Sequence, residues 1–144
     1  MDLWRISPHV DLSGRGGLLV DGRWHQRGVP VVYCCDHPST ALLEVLVHMD
    51  RSRIPPRYQL LRIDCPDDLQ MLTPSNIPKQ AADLDVSRSI GTALLRDRRH
   101  PLIRVPSAVM PAAWNILINP MHSGSARITV AETFQYPWDS LILR

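Results

Sequence analysis

Apolar positions recur along this chain with two periods. Between residues 38 and 49, Ala41, Leu42, Val45, Leu46 and Met49 return at spacings of three and four, which predicts a helix with one buried face, and Pro38 suits its first turn. A second helix is predicted from about Val86 to Arg96, capped by Asp83 or Asp85 and ended by Arg98, Arg99 and His100 before Pro101. The remaining apolar runs are strand-like, rich in β-branched and aromatic residues: Val29 to Cys35, Tyr58 to Cys65, Leu102 to Val109, Asn115 to Ile118 and Ala126 to Phe134. A shorter one, Leu3 to Ile6, surrounds Arg5. In the last run Ile128, Val130 and Phe134 fall on one side and Arg127, Thr129 and Thr133 on the other, with Glu132 interrupting the apolar side. Between these elements lie a glycine-rich turn (Asp11 to Gly17), a proline-broken basic loop (Arg51 to Arg57) and a long irregular connection (Pro66 to Pro78). Several short strands with two helices inserted early describe an α+β domain with a mainly antiparallel sheet.

Composition narrows this little. A chain of 144 residues is read as one domain, 1–144, long enough to bury a core without staples. No window approaches a membrane span, and the opening MDLWRISPHV has no basic start followed by an apolar run, so neither a membrane nor a secretory destination is expected. Cys34, Cys35 and Cys65 are odd in number and two are adjacent, which argues against a disulfide framework and for a reducing cytoplasm. A net charge of +2 is too small to point to nucleic acid. Fifteen of the sixteen basic residues are Arg, a bias that a GC-rich genome would also produce. Only Glu44 and Glu132 are Glu, so a glutamate inside LLEVL stands out.

The residues permit few chemistries. No C-x-x-C, H-x-x-x-H or H-E-x-x-H spacing names a metal site, so none is expected. Ser107 lies in VPSAV without a nucleophile elbow around it, and the turn at Asp11 to Gly17 lacks phosphate-loop spacing. Glu44 has apolar neighbours on nearly every side of its helix, which sets it in a cleft or partly out of water, although a helical glutamate is more often solvated. Arg23 reads equally as a surface ion pair, Tyr33 as a core aromatic at a strand end, and Trp24 and Trp114 as packing residues.

Taken in order, however, five motifs form one pattern: GRW at 22–24, G-x-P-V-V-Y at 28–33, T-A-L-L-E-V-L-V-H at 40–48, V-P-S-A-V at 105–109 and N-x-L-I-N-P-x-H at 115–122. With them the chain resembles the RES-domain toxins of bacterial type II toxin–antitoxin modules, from Trp4-Arg5 to Trp138-Asp139-Ser140-Leu141. The resemblance sets the family's arginine on Arg23, its tyrosine on Tyr33, its glutamate on Glu44 and its serine on Ser107. It sets the downstream asparagines on Asn115 and Asn119, the histidine on His122 and an N-terminal arginine on Arg5. Two departures are visible: Gly91-Thr92-Ala93-Leu94 lacks the tryptophan of a Gly-x-x-Trp, and the tail replaces Asp-Pro-Arg-Leu.

The resemblance implies an ADP-ribosyltransferase-like fold, with two mainly antiparallel sheets forming a cleft beside a few flanking helices. It implies NAD+ as substrate, consumed by hydrolysis or phosphorolysis of the nicotinamide–ribose bond, or alternatively used to ADP-ribosylate a protein. It also implies a cognate antitoxin with an Xre-type helix-turn-helix domain in an oligomeric complex, with DNA binding left to the antitoxin. The roles follow chemically. Arg23, helped by Arg5 or Arg15, offers bidentate donors to the pyrophosphate. Tyr33 offers a flat face to nicotinamide or its ribose and Ser107 a hydrogen bond to that ribose or the phosphate, with Trp24 and Asn119 counted among the NAD+-binding residues. Glu44 stabilises the positive ribose left as nicotinamide departs.

Overall fold

Periodic residues form the elements they predict, with boundaries shifted by a few positions. The computed structural model describes residues 1–48, 58–75 and 83–135. In chain order the elements are β1 (Asp2–Ser7), α1 (Gly16–Leu19), β2 (Val32–Cys35), α2 (Pro38–His48), β3 (Gln59–Asp64), β4 (Met71–Leu72), α3 (Leu84–Arg96), β5 (Leu102–Pro106), β6 (Trp114–Ile118) and β7 (Thr129–Gln135), with a 3₁₀ turn at Ser123–Arg127 before β7. Asp83 caps α3 by accepting from the Asp85 N–H, and Arg98 leaves the helix in the left-handed region at φ 57°. At the start of α2 the His37 ring accepts the Ser39 N–H at 3.1 Å and its carbonyl accepts the Ala41 N–H. Met49, the loop at 51–57 and the tail at 138–141 lie outside the described residues.

The strands make one seven-stranded sheet in the order β4-β5-β6-β2-β1-β3-β7, antiparallel except at the β4–β5 pair. This corrects the expectation of two sheets. The sheet is nearly divided, because β1 and β2 share a single bridged pair, Trp4–Cys35, whereas β1 pairs with β3 along its whole length. One face buries Leu3, Val32, Leu61, Ile63, Ile116 and Ile118. The other packs Ile103, Val105 and Leu117 against Trp24, Val31 and Leu95 of the overlying loop and α3, while α2 covers Ile6 and Cys35 through Ala41, Leu42 and Val45.

The alternation read in β7 is broken by a bulge. Val130 pairs with Ile63 and Glu132 with Arg62, so two steps on β7 oppose one on β3. Val130 therefore stays on the buried face, while Glu132 and Phe134 exchange faces. Glu132 meets Arg62 at 2.7 Å instead of interrupting the core, and Phe134 is left exposed.

Candidate active site

Glu44 is the centre of a small polar network on α2. Its Oε1 accepts from Ser107 Oγ at 3.0 Å and from Asn115 Nδ2 at 3.1 Å, while His48, one turn on, lies 3.5 Å from Oε2. The Glu44 side chain is 18% exposed. Both firm donors hold Oε1, and among the described residues Oε2 has only the exposed His48 ring near it.

Ser107 is itself held. Its oxygen accepts the N–H groups of Val109 and Met110, each at 3.1 Å, in the turn that leaves β5. With its acceptor positions filled by these two donors, the single hydroxyl proton points to Glu44. Asn115, on β6, is held from behind by the Cys35 thiol, which donates to Asn115 Oδ1 at 3.6 Å. Burial, with the Glu44 charge adding to it, pushes the Cys35 thiol up to about 12, so it stays a protonated donor.

The Arg23 segment is built by a second network. Tyr33 OH accepts the Trp24 N–H at 3.1 Å and lies 2.6 Å from His25 Nδ1, and His25 Nε2 lies 2.9 Å from the Val20 carbonyl. A carbonyl can only accept, so Nε2 carries the proton and Nδ1 accepts from the tyrosine. Burial lowers the His25 pKa and keeps the ring neutral, and raises that of Tyr33, keeping the phenol protonated.

Helix α3 clamps the same segment. Ser87 Oγ donates to the Arg23 carbonyl at 2.5 Å, Arg88 Nε to the Gly22 carbonyl at 2.7 Å, and Thr92 Oγ1 accepts the Gln26 N–H at 2.9 Å. Gly91 lets the helix touch the loop: a Cβ there would stand 1.8 Å from the Trp24 carbonyl oxygen. Gly22 is constrained likewise, since a Cβ would meet the His25 ring and Tyr33 OH at 2.5 Å.

These networks border one cavity of about 940 Å³, whose walls include Arg5, Arg23, Tyr33, Glu44, Arg88 and Asn115. It opens beside the Trp4–Cys35 pair, where β1 and β2 part, and both strands line it. The side chains of Arg5 and Arg23 make no ion pair among the described residues. Two guanidiniums without a protein carboxylate suit a bound anion.

Not every expected residue reaches this cavity. Trp24 lines it but is 2% exposed and packs into the core with Leu95 and Leu117, its Nε1–H finding no acceptor among the described residues. Ser107 is not a wall residue; it acts through Glu44. Asn119 departs most from expectation. It is fully buried, donates to the Leu95 carbonyl at 2.9 Å and accepts the Met121 N–H at 3.1 Å, so it ties the turn after β6 to α3. His122 caps the 3₁₀ turn through Gly124 N–H, and Arg15 is exposed at the start of α1 away from the cavity. Ser87 and Arg88 were missed because their roles depend on the 22–26 loop meeting α3, more than sixty positions away, and the glycine at 91 was the one sequence sign of that approach; His25 was missed because its partners, Val20 and Tyr33, are near in sequence but carry no motif that names them. Among the described residues no group of three or more His, Cys, Asp or Glu side chains could hold a metal ion.

This constellation has relatives. Residues 2–139 match the RES domain, and the chain belongs to that family. It is 47% identical to a protein of Pseudomonas putida named Toxin Res over 137 residues, covering 92% of this chain and 94% of the relative. It is 32% identical to the Prs ADP-ribosylating toxin of a Sphingobium species, covering 98% of this chain and 96% of the relative. Its fold is similar to a chain in the crystal structure of the M. tuberculosis MbcT–MbcA toxin–antitoxin complex, with a TM-score of 0.71 at 19% identity, covering 94% of this chain and 83% of that one.

Proposed function

We propose that the protein is the toxin of a toxin–antitoxin pair and that it consumes NAD+ by cleaving the bond between nicotinamide and ribose. The observation that carries this reading is a carboxylate, Glu44, held on one oxygen by Ser107 and Asn115 at the wall of a cavity that also presents Arg5 and Arg23. The fold is read as ADP-ribosyltransferase-like, with the parting of β1 and β2 as the cleft. Arg23 and Arg5 bind the pyrophosphate, and the face of Tyr33 receives the nicotinamide end.

In the reaction the C1′–N1 bond breaks and its electron pair returns to the pyridinium ring, releasing neutral nicotinamide without protonation. Positive charge is left on the ribose. The Glu44 carboxylate, held at Oε1, stabilises that charge electrostatically, in a fixed position, as it develops. Water then forms the new C1′–O bond and loses a proton to solvent, giving ADP-ribose; inorganic phosphate in its place gives the ribosyl phosphate. A single carboxylate is sufficient because the leaving group needs no general acid.

Transfer of ADP-ribose to a protein is the second reading, favoured by the 32% identity to a relative named an ADP-ribosylating toxin. The two differ only in the acceptor. The partner is a cognate antitoxin, for which the MbcT–MbcA complex is the structural parallel, and an Xre-type helix-turn-helix protein fits that role. Cytoplasmic NAD+ would be the pool attacked; no helix among the described residues is long and apolar enough to cross a membrane.

The test is free nicotinamide released from NAD+ by the purified protein, with and without phosphate. Glu44→Gln is expected to lower release by about 10²-fold or more while the fold persists. No release from the wild-type protein under either condition, nor any label transferred from NAD+ to lysate proteins, would sink both readings.

A further inference from the structure

The cavity has a third guanidinium that neither the motifs nor the reading above assigns. Arg88 is on α3, and its Nε is fixed to the Gly22 carbonyl at 2.7 Å. That bond uses one of the five N–H donors and leaves the two terminal nitrogens free. They make no ion pair among the described residues, although Asp21 and Asp85 line the same region. Arg88 also stands at a boundary. It lines the main cavity and, with Val20 and Asp21, a second cleft of about 910 Å³ that continues past Gln26, Arg27 and Asp85. The second cleft contains none of Arg5, Tyr33 or Glu44, so it lies beyond the reacting end of the site.

We propose that Arg88 is a further phosphate-binding residue beside Arg23 and Arg5, taking the phosphate on the adenosine side of the dinucleotide, with the adjoining cleft receiving the adenosine end. This rests on the NAD+ reading for the identity of the ligand. The geometry supports it in three ways. Arg88 and Arg23 are joined through one stretch of main chain, since α3 holds the Gly22 carbonyl through Arg88 and the Arg23 carbonyl through Ser87. A guanidinium already fixed at Nε loses little freedom when its terminal nitrogens bind. The pyrophosphate spreads its two negative charges over several oxygens, and Arg88 adds a guanidinium on the α3 side of the wall to those of Arg5 and Arg23, with no ion pair to it among the described residues.

The experiment compares the wild-type protein with Arg88→Gln and Arg88→Lys. Gln keeps an N–H donor for the Gly22 carbonyl and loses the charge; Lys keeps the charge and loses the planar fork. Binding of ADP, followed by calorimetry, is expected to weaken about tenfold or more in Arg88→Gln, with partial recovery in Arg88→Lys. In nicotinamide release, KM for NAD+ is expected to rise by a similar factor with kcat within about threefold of wild type. ADP binding unchanged in Arg88→Gln, or no ADP binding by the wild-type protein, overturns the proposal. A loss of kcat with unchanged ADP affinity also overturns it, marking Arg88 as only a clamp on the loop. Wild-type protein that binds ADP through Arg88 yet releases no nicotinamide sustains the subsite and removes the reaction instead.

Discussion

Ser107 donates its hydroxyl proton to Glu44 at 3.0 Å across 63 positions of sequence, and its own oxygen is fixed by the Val109 and Met110 N–H groups. The serine is therefore a rigid hand on the carboxylate. Hydrogen bonds to a charged group contribute about 1.5–3 kcal/mol, so Ser107→Ala is expected to lower kcat for nicotinamide release by about 10- to 100-fold. Asn115→Ala should act similarly, through the same oxygen. The double variant should lose less than the product of the two, because the pair acts as one unit. Multiplicative losses would show that each residue has a separate task.

A pH effect follows from His25. The folded ring is held neutral, mainly by burial with Arg88 adding to it, against the Val20 carbonyl and Asp21, so its pKa is below the ordinary 6.5. Above that value both folded and unfolded chains carry the neutral ring and no penalty exists. As pH falls below it, the unfolded chain takes up a proton that the folded chain resists, so stability falls with acidification. The window begins near 6.5 and extends to lower pH. Thermal midpoints between about pH 7.5 and 5 should drop for the wild type and drop less for His25→Gln. Equal slopes in the two proteins would remove the assigned tautomer.

Gly91 is where α3 meets the Arg23 loop. Because the obstacle to a Cβ is backbone oxygen rather than a flexible side chain, Gly91→Ala must displace the helix or the loop. Overpacking of this kind costs about 1–3 kcal/mol, enough to shift the chemical unfolding midpoint, and the displaced Arg23 should raise KM for NAD+. A variant with unchanged stability and unchanged KM would show that the loop tolerates the shift.

The two adjacent cysteines should be chemically silent. Burial pushes the thiols of Cys34 and Cys35 up to about 12, with the Glu44 charge contributing at Cys35. Alkylation at about pH 8 requires thiolate, so native protein should resist iodoacetamide while denatured protein reacts at Cys34, Cys35 and Cys65. Rapid labelling of native Cys35 would show that the wall behind Asn115 opens.

Much of this was legible in the chain. Periodicity located both long helices and most of the strands, because burying one face of a helix or strand imposes a repeat that residues such as Ala41, Leu42 and Val45 must obey. The carboxylate stood out because an acidic group among leucines and valines needs a reason to be there. What failed was what depends on two strands at once. Alternation in β7 put Glu132 and Phe134 on the apolar side, and one extra residue opposite Arg62 and Ile63 reversed both. Two separate sheets were expected where one sheet is held together by the Trp4–Cys35 pair, since strand spacing in sequence does not record which edges meet.

Sequence by itself determined the element types, the single apolar-flanked glutamate and the ordered set of motifs that carries family membership. Only tertiary structure decided which polar groups touch. Asn119 was a motif residue and proved to be a buried tie between the β6 turn and α3, while Asn115, four positions earlier, holds Glu44. Ser87 and Arg88 had no local signature, yet they fix the Arg23 segment from α3. Local periodicity is imposed by burial and is written into neighbouring residues; a hydrogen bond between residues sixty or more positions apart exists only once the chain has closed.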